Sequence, residues 1–157
     1  MAEQPDHEFP KKRVAAGALF FDKRGYLLVV KPTYRDRWGI PGGVVETDQS
    51  PRAGCAREVM EELGLEVALG RLIAVDYTSA DDRADDSLQF LFEGGVLGVA
   101  EIASIRLPPG ELSAYRFASR EAALALLGGG KLARRMPAAL RAYDEGRTVY
   151  LHDGLET

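Results

Sequence analysis

The sequence predicts an α/β fold, and three observations carry that prediction. A helix with both ends marked is expected over 51–63: Ser50 can accept a hydrogen bond from a free amide of the first turn, Pro51 suits the first helical position, and Gly64 can close the helix in the left-handed conformation. Apolar runs of strand length over 14–21, 26–30 and 88–92 are set off by glycine-containing turns. Two further helical stretches, 120–127 and 131–143, follow toward the C-terminus. Strands interleaved with helices are the pattern of an α/β layer architecture.

Taken in order, residues 1–12 are polar and carry two prolines, so a flexible N-terminal arm is expected ahead of one domain over 13–157. The runs 14–21 and 26–30, joined by Asp22-Lys23-Arg24-Gly25, read as a β-hairpin with both strands largely buried. Gly17 inside the first strand marks a bulge or a close backbone approach. A polar loop over 31–37 leads to Trp38-Gly39-Ile40-Pro41-Gly42-Gly43, where proline and paired glycines permit a sharp change of direction. Residues 44–46 read as a short strand. After the helix, 65–77 reads as a strand broken near Gly70-Arg71, 80–87 as an acidic solvated loop, and 88–92 as a strand. Gly94-Gly95 is expected to turn the chain, and 96–107 to form a strand or a loose strand pair. Pro108-Pro109-Gly110 is a firm turn before a strand over 111–117. Ser119 can cap the helix 120–127, Gly128-Gly129-Gly130 ends it, and the helix over 131–143 carries Pro137, a potential break. Residues 148–151 suggest a small last strand.

Composition narrows the chemistry. The 157 residues are enough for a real core. A net charge of −4 argues against general nucleic-acid binding, which needs a basic face to neutralise phosphates. It does not exclude a small phosphate ligand, since a metal ion supplies positive charge locally. Cys55 is the only cysteine, which rules out an internal disulfide and a multi-cysteine zinc site; its place at the edge of the helix's apolar side suggests a packed thiol. His7 and His152 lie near the termini, are expected to be exposed, and offer no histidine-dependent triad. Gly128-Gly129-Gly130-Lys131 hints at a P-loop but lacks its first glycine, at Ala125, and its Ser/Thr, at Leu132. The apolar run over 14–21 is far short of the ~20 residues that span a bilayer. The acidic start resembles no signal peptide, so a cytoplasmic protein without membrane association is expected.

The chemistry is left to carboxylates. On the helix, Ala53, Ala56, Val59, Met60 and Leu63 recur at helical spacing and are expected to form the apolar side. Glu58, Glu61 and Glu62 stand at i, i+3 and i+4 and share the other side, with Gly54 one turn before them. Such a face is often ordinary solvated surface. It is also what a hard divalent cation needs, because Mg²⁺ is held by a few carboxylates together with substrate phosphates.

The spacing around those glutamates resembles the Nudix hydrolase box, Gly-x5-Glu-x7-Arg-Glu-U-x-Glu-Glu-x-Gly-U with U apolar. Gly43, Arg57, Glu58, Val59, Glu61, Glu62, Gly64 and Leu65 fall in place, and only the first glutamate departs, as Gln49. The Trp-x-x-Pro-Gly-Gly lead-in at 38–43 extends the likeness upstream. The resemblance implies an α/β/α sandwich around a mixed central β-sheet. It also implies Mg²⁺, or Mn²⁺, on the box glutamates, and metal-activated water attacking a pyrophosphate bond of a nucleoside diphosphate linked to another moiety. The expected catalytic set is Glu58, Glu61, Glu62 and Arg57. Glu58 and Glu62 are the leading metal ligands, Glu61 a further ligand or the base, and Arg57 a scaffold for the preceding loop. Gly42 and Glu111 complete the expected ligands, and Glu46 is an alternative one. Arg35, Trp38, Gly42, Gly43 and Tyr77 are expected to contact substrate, with Tyr34 and Phe90 as further aromatic candidates. The substrate stays open among nucleoside triphosphates, oxidised nucleotides, ADP-ribose, nucleotide sugars and dinucleoside polyphosphates. Related proteins are commonly homodimers. Gln49 leaves an alternative open: a catalytically weak module that binds a nucleotide.

Overall fold

The computed structural model describes residues 9–157. Most of the expected N-terminal arm, and His7 with it, lies outside them; residues 9–12 are exposed coil. The hairpin forms as expected. β1 (Arg13–Phe21) and β2 (Leu27–Pro32) pair antiparallel. β3 (Gly42–Val44) lies against β1, α1 (Pro51–Leu63) follows, and β4 (Leu72–Thr78) and β5 (Ser87–Val96) form an antiparallel pair. The chain continues through a short helix α2 (Val99–Ala103), β6 (Leu112–Ala118), α3 (Arg120–Leu127), α4 (Lys131–Glu145), β7 (Val149–His152) and β8 (Leu155–Glu156).

The sheet runs β6-β2-β1-β5-β4-β7-β8, with β3 branching from β1. β1 with β5 and β4 with β7 are parallel and the other pairs antiparallel, so the sheet is mixed. Alternation along the two hairpin strands explains their unbroken apolar runs. Leu19, Phe21, Leu27 and Val29 face one core, with α3 and α4. Ala18, Phe20, Leu28 and Val30 face the other, with α1. A strand buried on both faces has no polar side to show. The result is the expected α/β/α sandwich. A buried ion pair ties its layers: Arg135 of α4 donates to Asp76 of β4 at 2.7 Å and to the Thr78 hydroxyl, while the Gly154 N–H donates to Asp76.

Several expectations are corrected. Residues 64–71 are coil and the strand begins only at Leu72. Gly94 and Gly95 do not turn the chain. They sit inside β5, opposite a register shift between Leu19 and Phe20, and the Phe20 ring fills the space a side chain at 94 would need. Within 96–107 there is no strand beyond Val96; α2 forms instead, with the Glu101 carboxylate accepting from the Gly98 N–H. Pro137 does not break α4, because it lies on the exposed side, where water can take the carbonyl it leaves unpaired. Gly17 marks a close approach and not a bulge: a Cβ there would meet Ile40 and the Pro41 carbonyl.

Candidate active site

α1 carries both predicted caps. The Ser50 side chain accepts from the Ala53 N–H, and Gly64 adopts φ 69°. Its buried face is not the expected one. Ala53 and Met60 are exposed, and the helix turns Cys55, Val59, Leu63 and Glu62 inward. Cys55 is fully buried, and burial pushes its thiol up to about 12, which makes it a packing residue. Glu62, only 7% exposed, is therefore a carboxylate held at the edge of the core.

Among the described residues the Glu62 carboxyl group has one hydrogen-bond donor, the Gly42 N–H at 3.1 Å. Gly42 reaches this point because β3 packs so close to β1 that a side chain at 42 would collide with the Ala16 backbone. Gly43 serves Glu58 in a comparable way: a Cβ there would stand 2.5 Å from the Glu58 carboxyl carbon. The paired glycines thus open the space the two carboxylates occupy. Glu111, in the turn before β6, meets them from across a pocket of about 320 Å³ also lined by Val30, Tyr34, Arg35 and Ile40. Burial pushes Glu62 up to about 8; the Gly42 N–H opposes this, and the charges of Glu58 and Glu111 add to it. Burial also raises Glu58, against the pull of Arg57, with Glu61 and Glu111 adding to the rise.

Those acids fit a divalent cation. Among the described residues no three such groups are already gathered into a cage. Glu58, Glu62 and Glu111 nonetheless present hard oxygen donors to one pocket; Arg57 lies 3.2 Å from Glu58, and burial leaves the charges of Glu58 and Glu62 only partly compensated.

The other candidates divide. Glu61 does not face the pocket: its carboxylate takes the Arg57 Nη1 at 3.0 and 3.1 Å, one turn back along α1. Arg57 also donates to the Val44 carbonyl at 3.2 Å and reaches Gln49 Oε1 at 3.5 Å, so it ties α1 to the loop before it. Glu46 is exposed, lies 3.7 Å from Arg57 and is not among the residues lining the pocket. Arg35 and Tyr34 line the pocket. Trp38 packs at the edge of the core beneath Arg116 and does not line it. Tyr77 is remote from it: its hydroxyl donates to Asp86 and its ring meets His152 edge-on. Phe90 lines a neighbouring hollow with Gly42 and Gly43. The sequence reading missed a second, basic pocket of about 550 Å³, whose arginines are scattered too widely for any local spacing to group them.

A model of the NUDIX domain matches residues 11–140. The rat diphosphoinositol polyphosphate phosphohydrolase 2 is 39% identical over 71 residues, which is 45% of this chain and 40% of that protein. The MutT-like protein of Streptomyces ambofaciens is 36% identical over 66 residues, covering 42% of this chain and 43% of that one. The chain thus spans less than half the length of these relatives. Among solved structures, the MutT protein from Methanosarcina mazei Go1 superposes with a TM-score of 0.68 at 25% identity, covering 90% of this chain and 99% of that one. A UDP-X diphosphatase superposes with a TM-score of 0.73 over 94% of this chain and 70% of its own; at 19% identity the likeness is one of fold. Among the described residues no helix is long and apolar enough to cross a membrane.

Proposed function

The chain belongs to the NUDIX domain family, and on that premise we propose that it is a Mg²⁺-dependent hydrolase of a pyrophosphate bond in a nucleoside diphosphate linked to another moiety. The observation that carries the proposal is the convergence of Glu58 and Glu62 from α1 with Glu111 from the turn before β6 on the pocket floored by Gly42 and Gly43. In this reading the three carboxylates hold Mg²⁺, or Mn²⁺ in its place. The bound cation polarises P–O bonds and lowers the pKa of water.

The chain's own residues do the rest. The Gly42 N–H fixes the Glu62 Oε1. Glu111 is exposed at the pocket rim, and its side chain makes no hydrogen bond among the described residues, so it is placed to complete the cation's ligands beside Glu58 and Glu62. Arg57 and Glu61 act as positioning residues: their ion pair and the Arg57 bond to the Val44 carbonyl hold the glycine turn against α1. Arg35, at the wall of the pocket, offers a planar cation to a phosphate. A single buried thiol suits the reducing cytoplasm, the proposed setting.

The test is a substrate panel. The protein is incubated with Mg²⁺ and a nucleoside triphosphate, ADP-ribose and a nucleotide sugar, and released phosphate, pyrophosphate or nucleoside monophosphate is measured. Turnover that is lost in Glu58→Gln and Glu62→Gln is expected. Turnover that survives both substitutions would overturn the assignment of these glutamates. One observation favours a second reading, a nucleotide-binding module: Gln49 leaves Arg57 without the carboxylate partner found in the family pattern. That reading predicts no turnover by the wild type, and ligand binding by Glu58→Gln as tight as the wild type's.

A further inference from the structure

Apart from Arg35, the basic pocket has no part in the reaction just described. Arg35, Arg37, Arg83, Lys131 and Arg134 line it, brought together from the loop before β3, the loop before β5 and the first turns of α4. Only one acid, Asp81, lines it with them, and that acid is committed: it lies 2.8 Å from Lys131 and accepts from the Arg83 and Ala84 N–H groups. Among the described residues none of the four arginines makes an ion pair. Four arginines around one cavity, in a chain of net charge −4, repel one another, and the one acid that lines it is already paired with Lys131.

The glycine run that resembles a P-loop finds its use here. Gly128 leaves the space that the aliphatic stem of Arg37 occupies and Gly130 the space of its guanidinium, and a side chain at either position would collide with Arg37. Gly130 also starts α4 without a side-chain cap, so the amides of that helix's first turn add to the positive field.

This pocket adjoins the carboxylate pocket. Arg35 lines both, and a hollow between them shares Arg35 and Leu132 with the basic side and Ile40, Gly42 and Gly43 with the acidic side. We propose that the basic pocket binds a phosphate-bearing group of the substrate other than the diphosphate that is cut, so that the preferred substrates carry phosphates at both ends. The inference rests on the hydrolase reading for the identity of the cut end, but anion binding by the arginines stands apart from it. Guanidinium groups suit this role because each offers paired N–H donors that match phosphate oxygens.

The test uses inorganic tripolyphosphate as the probe, titrated calorimetrically into EDTA-treated protein at low salt, where no hydrolysis can occur. Arg83 and Arg134 are both exposed, so the paired variants Arg83→Gln/Arg134→Gln and Arg83→Lys/Arg134→Lys spare the core. The wild type should bind, the glutamine pair at least tenfold more weakly, and the lysine pair should recover most of that loss. With Mg²⁺ present, the ratio of kcat/KM for a nucleoside 3′,5′-bis(diphosphate) to that for the nucleoside 5′-diphosphate lacking the 3′ group should fall at least tenfold in the glutamine pair. No tripolyphosphate binding by the wild type, equal binding by the glutamine pair, an equal loss in the lysine pair or an unchanged ratio would each overturn the proposal. Tripolyphosphate binding without hydrolysis of any substrate would instead defeat the hydrolase reading and leave the anion site standing.

Discussion

Arg57 reaches the Gln49 side-chain oxygen at 3.5 Å, the limit of a hydrogen bond, and its Nε is buried with no acceptor among the described residues. The glutamine offers one acceptor oxygen, shared between Arg57 and the Glu46 N–H at 3.1 Å, and its amide nitrogen cannot accept. A carboxylate at this position would bring a second oxygen and a charge. Gln49→Glu should therefore stabilise the fold by about 1 kcal/mol, measured as a rise in the urea midpoint, and leave turnover equal or higher. A sharp fall in turnover would mean that the amide itself has a task.

Gly43 is the position where a single methyl group should matter most. Its Cβ would lie 2.5 Å from the Glu58 carboxyl carbon, so Gly43→Ala must displace that carboxylate. Turnover should drop by about tenfold or more, since misplacing a reacting group by ~1 Å costs about that much or more. Gly98→Ala, where a Cβ makes only an ordinary 3.6 Å contact with Glu101, is the control and should retain activity.

Without metal, stability should fall as pH rises. The Glu62 carboxyl sits at about 8 in the fold against an ordinary 4.5. The native state then binds the proton more tightly than the unfolded chain, so this contribution is complete below the ordinary value and is lost as pH climbs through 8. Glu58 is raised too and acts in the same direction. Asp22, Asp81 and Asp144 are lowered, so theirs is lost only in acid, below this window. Thermal midpoints of metal-free protein should decline between about pH 5 and about pH 9. Added Mg²⁺ should restore the loss at the alkaline end, and Glu62→Gln should flatten the profile. A midpoint that rises across this range would contradict the burial argument.

The pair joining Arg135 to Asp76 is buried, with side chains 7% and 2% exposed. Arg135→Met leaves the Asp76 carboxylate inside with only the Gly154 N–H and should cost about 3–5 kcal/mol in chemical denaturation. Asp76→Leu added to it should recover much of that loss, because no buried charge is then left alone. A double variant as unstable as the single one would show that the pair contributes beyond charge compensation.

What could be read from the chain was what is local. Ser50, Pro51 and Gly64 mark the ends of α1 because capping is decided within one turn. Which face of α1 is buried is decided by its neighbours, so the apolar spacing that favoured Met60 gave way to packing that draws in Cys55 and Glu62. Gly94-Gly95 looks like a turn until the Phe20 ring beside it is known. The valine-rich stretch around α2 has strand-like composition, yet Glu101 caps a helix there. Glu58, Glu62 and the turn-adjacent Glu111, each singled out in the sequence, line one pocket. Glu61, expected as a further ligand or the base, is held instead by Arg57 on the same helix, which competes with the pocket for it. Nothing in the spacing of Arg35, Arg37, Arg83 and Arg134 announces a shared cavity, since only the folded chain brings them together.

The central claim is that Glu58, Glu62 and Glu111 form one divalent-cation site, and Mn²⁺ binding followed by electron paramagnetic resonance tests it most directly. The wild type should bind Mn²⁺ and release it to competing Mg²⁺, and affinity should fall at least tenfold in each of Glu58→Gln, Glu62→Gln and Glu111→Gln while Glu46→Gln binds as the wild type does. Equal Mn²⁺ affinity in the wild type and the three pocket variants would contradict the account.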